Sequence, residues 1–145
     1  MSEHTERWAL NRLIETCRDG ERGFRYAANH VRDASVKALF LLIADQRERF
    51  AAELLPHAQR LGGADDADGT LAGGLHRGWM TIKDAISGHE DAAIIQEAER
   101  GERAALATYQ QALQGLVPPT TRDLIEQQYR TVEECHARVQ ALLAA

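Results

Sequence analysis

Apolar residues recur along this chain at alternating steps of three and four, the spacing that places them on one face of an α-helix. The repeat predicts four long helices, over about residues 4–32, 35–61, 90–115 and 121–143, and a shorter one over about 70–87. Ala, Leu, Glu, Gln and Arg are plentiful, while β-branched runs are scarce, which also favours helices. The sequence therefore predicts an all-α fold.

The breaks between these segments contain residues that end or begin helices. A Gly- and Asp-rich stretch at 62–69 separates the second long helix from the short one, and Pro118–Pro119 stops the third. Thr120 or Thr121 is expected to cap the last helix. Pro56 lies inside the second helix, where it predicts a kink or a break because it lacks a backbone donor.

The order of the helices predicts two helical hairpins joined by a long crossover that carries the short fifth helix. If every connection reverses the chain, the second and third long helices run parallel. A length of 145 residues is enough for one substantial core. We therefore expect a single four-helix bundle domain over residues 1–145.

Three ionisable residues interrupt the apolar stripes. Glu21 and Glu102 fall where the helical repeat requires a core residue, and so does His136, with Glu133 one turn before it in a Glu-x-x-His spacing. Each helical residue rises about 1.5 Å, which puts all four residues within roughly one turn of a common layer. Burying an unpaired ion costs on the order of several kcal/mol, so the layer predicts either bound metal or a compensating cation.

The metals that suit carboxylate and imidazole ligands are iron, manganese and zinc. At these residues the chain resembles the ferritin-like superfamily, in particular rubrerythrin-type four-helix bundles and an uncharacterised bacterial branch classified as a domain of unknown function. The resemblance rests on the helix order and the long crossover. The residues that carry it are Glu21, Gly101-Glu102, Tyr109, Glu133-x-x-His136 and the segment Gly74-Leu-His-Arg-Gly-Trp-Met80.

In ferritin-like di-iron proteins, two helices each supply one Glu and the other two each supply a Glu-x-x-His pair. The resemblance implies that Glu21 and Glu102 are the single glutamates and that Glu133 and His136 form one pair. The position of the second pair, on the second helix, is held by Arg47-Glu-Arg-Phe50.

Arginine stays protonated and can pair bidentately with a carboxylate, so Arg47 could neutralise Glu21 or Glu133 without metal. Three alternatives remain open at this point. The layer could be free of metal, could hold one metal ion on Glu102, Glu133 and His136, or could hold two ions with Glu53 and His57 as substitute ligands.

The remaining features narrow the choice of partners. A net charge of −5 and a pI of about 5.7 leave no broad basic surface, which argues against nucleic acid. No apolar run is long enough for a membrane span and the N-terminus lacks a secretory signal, so we expect a cytoplasmic protein.

Cys17 and Cys135 are expected to be reduced packing residues. Trp79 is expected either to pack on the bundle, with His76 and Arg77 solvated, or to form a docking surface together with them.

Three functional hypotheses follow. The first is a ferritin-like bundle with an incomplete carboxylate and histidine site, which binds at most one metal ion and acts through binding or stress-related association without catalysis. The second, implied by the resemblance, is an oxidoreductase or iron-handling protein acting on ferrous iron, oxygen or peroxide. The third is a helical interaction module that forms a homodimer or holds another partner. The sequence does not indicate a small-molecule substrate.

Overall fold

The computed structural model describes residues 2–62, 79, 90–115 and 117–144, with side chains from residue 6 onward. This part of the chain is all-α and contains no strand. Its helices are α1 (Ser2–Ala28), α2 (Ala34–Arg60), α3 (Asp91–Gln114) and α4 (Pro119–Ala144). The four predicted long helices are confirmed, and the predicted short helix over 70–87 lies outside the described residues apart from Trp79.

The helix ends follow from local chemistry. Asp33 caps α2, because its carboxylate accepts hydrogen bonds from the backbone N–H groups of Ser35 and Val36 at 2.9 and 3.0 Å. Of the two outcomes predicted at Pro56, a kink or a break, the break is absent, since α2 continues through this residue to Arg60.

The expected Thr cap of the last helix is also absent. Helix α4 already begins at Pro119, so Thr120 and Thr121 lie within its first turn. Proline suits a first helical position, where its missing N–H would have no partner within the helix. The first turn is closed by the Arg122 N–H, which donates to the Pro118 carbonyl at 2.9 Å.

Helix α1 lies between α2 and α3 and packs against both. It runs antiparallel to α3, because Cys17 near the middle of α1 contacts Tyr109 near the end of α3, whereas the Arg32 N–H, just after α1, donates to Asp91 at the start of α3.

Helix α4 packs against α3 and, less extensively, against α2. It runs antiparallel to α2, since Thr121 at its start contacts His57 near the end of α2, while Cys135 contacts Gln46. Helices α2 and α3 therefore run parallel on one diagonal of the bundle, as the long crossover predicts. Within the described residues these two helices have no direct backbone contact.

The core consists of two apolar clusters with a polar layer between them. The upper cluster contains Phe24, Phe40 and Trp79, whose rings meet edge to face at centroid distances of 5.2 Å (Phe24 to Phe40) and 5.0 Å (Phe24 to Trp79). The lower cluster is built mainly from aliphatic side chains of α1 and α2, together with Tyr109. Arg47 and Glu102 are buried and belong to neither cluster.

The predicted stripes are confirmed at most of the described positions on all four helices and are displaced by one residue at four places. Successive helical residues point about 100° apart, so two neighbours can both border a wide apolar face and only packing decides which one is buried. On α3 the described residues of the predicted stripe are all buried: Ile95, Ala98, Glu102, Ala105, Tyr109 and Ala112. At four places on the other helices the buried residue is a neighbour of the predicted one, which is given in parentheses: Gly20 (Glu21), Arg47 (Gln46), Gln128 (Tyr129) and Cys135 (His136).

Candidate functional site

A buried ion pair between Arg47 of α2 and Glu102 of α3 lies at the centre of the polar layer. The two guanidinium Nη atoms donate to the two carboxylate oxygens, at 2.5 Å for Nη1 to Oε1 and 2.7 Å for Nη2 to Oε2. Each side chain is only 1% exposed. Both oxygens of Glu102 are thus engaged in the bidentate geometry that arginine favours for carboxylates.

The pair remains charged because each member supplies the counter-ion of the other. Burial by itself lowers the pKa of Arg47, but the negative charge and hydrogen bonds of Glu102 outweigh it and raise the pKa above its ordinary value. Arg47 is therefore the cation that balances Glu102. The sequence predicted that Arg47 neutralises a buried carboxylate, but it named Glu21 or Glu133 as the partner. That choice of partner was wrong, since the partner is Glu102.

Small and aromatic neighbours make room for the guanidinium. A Cβ added at Gly20 of α1 would already lie 3.5 Å from Cγ and Nη1 of Arg47, the distance of ordinary van der Waals contact. The Phe24 ring lies on another side, with its centroid 5.9 Å from Arg47 Cζ. Gly20 thus holds the core position that the sequence pattern assigned to Glu21, and the arginine fills the space beside it.

A chain of hydrogen bonds continues the polar layer toward α4. The Tyr109 hydroxyl donates to Gln128 Oε1 at 2.6 Å, so its oxygen is left to accept from the Cys17 thiol at 3.2 Å. The Gln128 amide nitrogen donates to the Phe50 carbonyl at 3.3 Å and to Glu53 at 3.0 Å. This chain links three helices to α4 without a further buried charge.

Burial keeps Cys17 and Tyr109, two members of this chain, neutral. It raises the pKa of the Cys17 thiol to about 11, and it raises the pKa of Tyr109 well above its usual range. Cys17 and Cys135 are both buried free thiols. Raised thiol pKa values fit packing residues better than reactive nucleophiles, since the thiolate is the reactive form.

Glu21 faces away from the ion pair. Its carboxylate accepts a hydrogen bond from Arg25 Nε at 3.0 Å, and its side chain is 22% exposed. Arg25 also pairs with Asp45 and Glu48 of α2, at 3.0 and 3.4 Å. Glu21 therefore belongs to a surface network between α1 and α2.

The predicted Glu-x-x-His pair lies at the surface between α3 and α4. Glu133 is exposed, while His136 Nε2 lies 2.8 Å from an oxygen of Glu99. Glu99 also accepts two hydrogen bonds from Arg103, each of 2.9 Å. Its partial burial raises its pKa, but the hydrogen bonds from His136 and Arg103 outweigh that effect and lower the pKa.

The suggested substitute ligands on α2 also have other partners. His57 Nδ1 lies 2.7 Å from Thr121 Oγ1 and 2.8 Å from Arg60 Nη2, and Glu53 accepts from Gln128. Partial burial and the Arg60 charge lower the pKa of His57.

The structure does not bring the predicted ligands together at one point in the described part of the chain. Among the described residues, no group of three or more His, Cys, Asp and Glu side chains is arranged to hold a metal ion. Of the predicted set of Glu21, Glu102, Glu133 and His136, only Glu102 reaches the core, and both of its oxygens are bonded to Arg47.

Two polar residues that the sequence reasoning missed, Glu99 and Gln128, take part in these networks. Gln128 had a detectable signal, because it follows Ile125 by three residues and precedes Val132 by four. Glu99 had none, since its role depends on the approach of α4.

A pocket of about 220 Å³ lies beside the ion pair, between α1 and α3. The pair and Trp79 form part of its wall. The lining also includes the buried Asp19 and the partly buried Arg12 and Thr108.

A family model described as Domain of unknown function (DUF2383) matches residues 6–115, which include both Arg47 and Glu102. The chain belongs to the DUF2383 family. Helix α4, with Glu133 and His136, lies beyond the residues that match this DUF2383 model. No curated protein matches the sequence.

None of the helices in the described ranges combines the length and apolar composition needed to cross a membrane.

Proposed function

We propose that this DUF2383 protein is a ferritin-like bundle in which the Arg47–Glu102 ion pair takes the place of a metal centre, and that it acts by association without catalysis. The antiparallel contacts of α1 with α3 and of α2 with α4, together with the parallel α2 and α3, support the ferritin-like topology.

One observation carries the proposal: both oxygens of Glu102 are hydrogen-bonded to a guanidinium that is 1% exposed. Arginine is effectively always protonated, so this cation cannot leave the layer by deprotonation. A divalent ion competing for Glu102 would meet a fixed positive charge within hydrogen-bond distance of the same oxygens. Coulomb repulsion therefore disfavours metal at the position that the resemblance assigns to it.

Elemental analysis of protein purified from iron-replete cells tests the proposal. We expect well under about one metal ion per ten chains, and a melting temperature that is unchanged by chelator or by added Fe²⁺, Mn²⁺ or Zn²⁺, since a bound ligand would raise it by mass action. Stoichiometric metal that is lost from Glu102→Ala or His136→Ala would instead support the iron-dependent oxidoreductase.

A second candidate function is that of an interaction module that forms a homodimer. An exposed aromatic side chain on α1 favours it. Trp8 is 56% exposed, and the Arg12 guanidinium lies 5.2 Å from its ring centroid. Tryptophan and arginine are the residue types most enriched where proteins bind one another. A shallow hollow formed with Thr108 and Gln111 of α3 adjoins them.

Sedimentation velocity over a range of concentrations tests self-association. We expect a homodimer that dissociates in Trp8→Ala. Leu42→Ala is the matched control, because Leu42 is 54% exposed on a different helix, α2. A native chain that stays monomeric at high concentration would contradict the homodimer, and a dimer lost only in Leu42→Ala would move the contact to α2.

A further inference from the structure

Trp79 occupies a slot between two helices that is shaped by glycines. The side chain is 3% exposed, and a Cβ added at Gly23 of α1 or at Gly101 of α3 would overlap the indole ring. Phe24 closes one end of the slot with its ring edge-on to the indole, at 5.0 Å between centroids and 74° between planes. The expectation that Trp79 packs on the bundle is confirmed, and its alternative role in a docking surface is excluded by its burial.

The presence of glycine at these two helical positions is explained by the indole ring between them. Glycine inside a helix is less favourable than alanine, because it loses more backbone freedom on folding. Both Gly23 and Gly101 lie within long helices, where no turn requires them. What they provide is the space for a flat bicyclic ring between α1 and α3.

The slot adjoins the ion pair. Gly101 directly precedes Glu102, and Trp79 shares the wall of one pocket with Arg47 and Glu102. An indole in the slot excludes water from that side of the pair. Water exclusion matters because a guanidinium and a carboxylate attract more strongly where the local dielectric is low.

We propose that Gly23 and Gly101 form an indole-binding slot, filled by Trp79, and that the bound indole seals the Arg47–Glu102 pair from water. The ligand class is a planar bicyclic aromatic ring. The inference does not rest on the proposed function, since it concerns the packing of Trp79 whether or not the bundle associates.

Tryptophan fluorescence tests the slot directly in a Trp8→Phe background, where Trp79 is the only tryptophan. Adding Gly23→Ala or Gly101→Ala is expected to expel the indole, which shifts the emission maximum to the red and increases quenching by acrylamide. Gly20→Ala is the matched control, because its Cβ makes only ordinary contact with Arg47. Unchanged emission in both slot variants, with native helicity by circular dichroism, would overturn the proposal.

Chemical rescue provides a second test that does not depend on those variants. Trp79→Gly empties the slot, and free indole is expected to raise its melting temperature in a concentration-dependent way. The same indole should leave the native chain and the Trp79→Gly/Gly101→Ala double variant unchanged. Equal stabilisation of all three proteins would show that indole binds elsewhere, and no stabilisation of Trp79→Gly would show that the slot does not bind it.

The free energy of unfolding tests separately whether the indole seals the Arg47–Glu102 pair from water. Removing the indole hydrates Glu102, so Arg47→Met should destabilise the Trp79→Gly chain less than it destabilises the native chain. Equal destabilisation in the two backgrounds would show that Trp79 does not shield the pair, even if it fills the slot.

Discussion

Replacing Arg47 with methionine should destabilise the bundle, and the size of the loss should depend on pH. Methionine retains an unbranched stem that can pack where the arginine stem packs, so the change removes mainly the charge and its two hydrogen bonds. Glu102 is then left in a site where its side chain is 1% exposed. It must either remain ionised without a partner or take up a proton.

The proton sets a ceiling on the electrostatic part of the loss. Protonating a glutamate of ordinary pKa, about 4.3, costs about 3.7 kcal/mol at pH 7 and about 1 kcal/mol at pH 5. The electrostatic part should therefore not exceed about 3.7 kcal/mol at pH 7. With the lost hydrogen bonds and packing, the free energy of unfolding should fall by about 3–5 kcal/mol in total, the range seen when one partner of a buried pair is removed. This loss should shrink by up to about 2.7 kcal/mol at pH 5.

Urea denaturation at pH 7 and pH 5, followed by circular dichroism, measures both quantities. The double variant Arg47→Met/Glu102→Gln should recover stability at pH 7 relative to Arg47→Met and should lose the added pH dependence, because no carboxylate remains to be protonated. Arg49→Met is the matched control: this arginine lies two residues away on α2 and is exposed, so its change should stay within about 0.5 kcal/mol.

Two outcomes would refute the reasoning. A loss below about 0.5 kcal/mol for Arg47→Met would show that Glu102 is solvated when its partner is absent. A large loss that is equal at the two pH values would show that the variant fails through packing, with no contribution from an uncompensated carboxylate.

Three further predictions concern the neighbouring networks. Tyr109→Phe removes the donor to Gln128 and should cost about 1–3 kcal/mol in urea denaturation; an unchanged midpoint would mean that water replaces the hydroxyl. Because the folded pKa of His57 is lowered, its stabilising contribution is present above the unfolded value of about 6.5 and is lost as pH falls below it; His57→Gln should flatten the stability profile there. Glu99 also has a lowered pKa, so its contribution is present above about pH 4.3 and is lost on further acidification; a Glu99→Gln chain with the same acid profile as the native one would contradict this.

The sequence alone was sufficient to predict the four long helices and their relative directions. Helix formation depends on local composition and on a repeat of 3.6 residues, both of which can be read directly from the order of residues. Chain reversal at each connection then required α2 and α3 to be parallel, and the observed contacts agree. On α3 even the buried charge at Glu102 was correctly placed, because apolar residues flank it at regular helical steps.

At single positions on the other three helices, the residue that packing buries could not be determined in this way. Glu21 and His136 border the apolar face, and their neighbours Gly20 and Cys135 are the ones that packing buries. The small size of Gly20 is informative only once Arg47 is known to lie against it. The periodicity tolerates an error of one residue. It therefore predicted the polar layer but assigned to it Glu21 and His136, which lie nearer the surface.

The sequence by itself determined an all-α bundle with a polar layer and placed an arginine within it. Only the tertiary structure decided that this arginine pairs with Glu102, on the helix diagonally opposite, and not with Glu21 or Glu133. The physical reason is that a buried charge selects the partner it can reach in the absence of water. Which carboxylate Arg47 can reach depends on the separation of α2 and α3, and α1 and α4 set that separation. No local pattern in the chain contains this information.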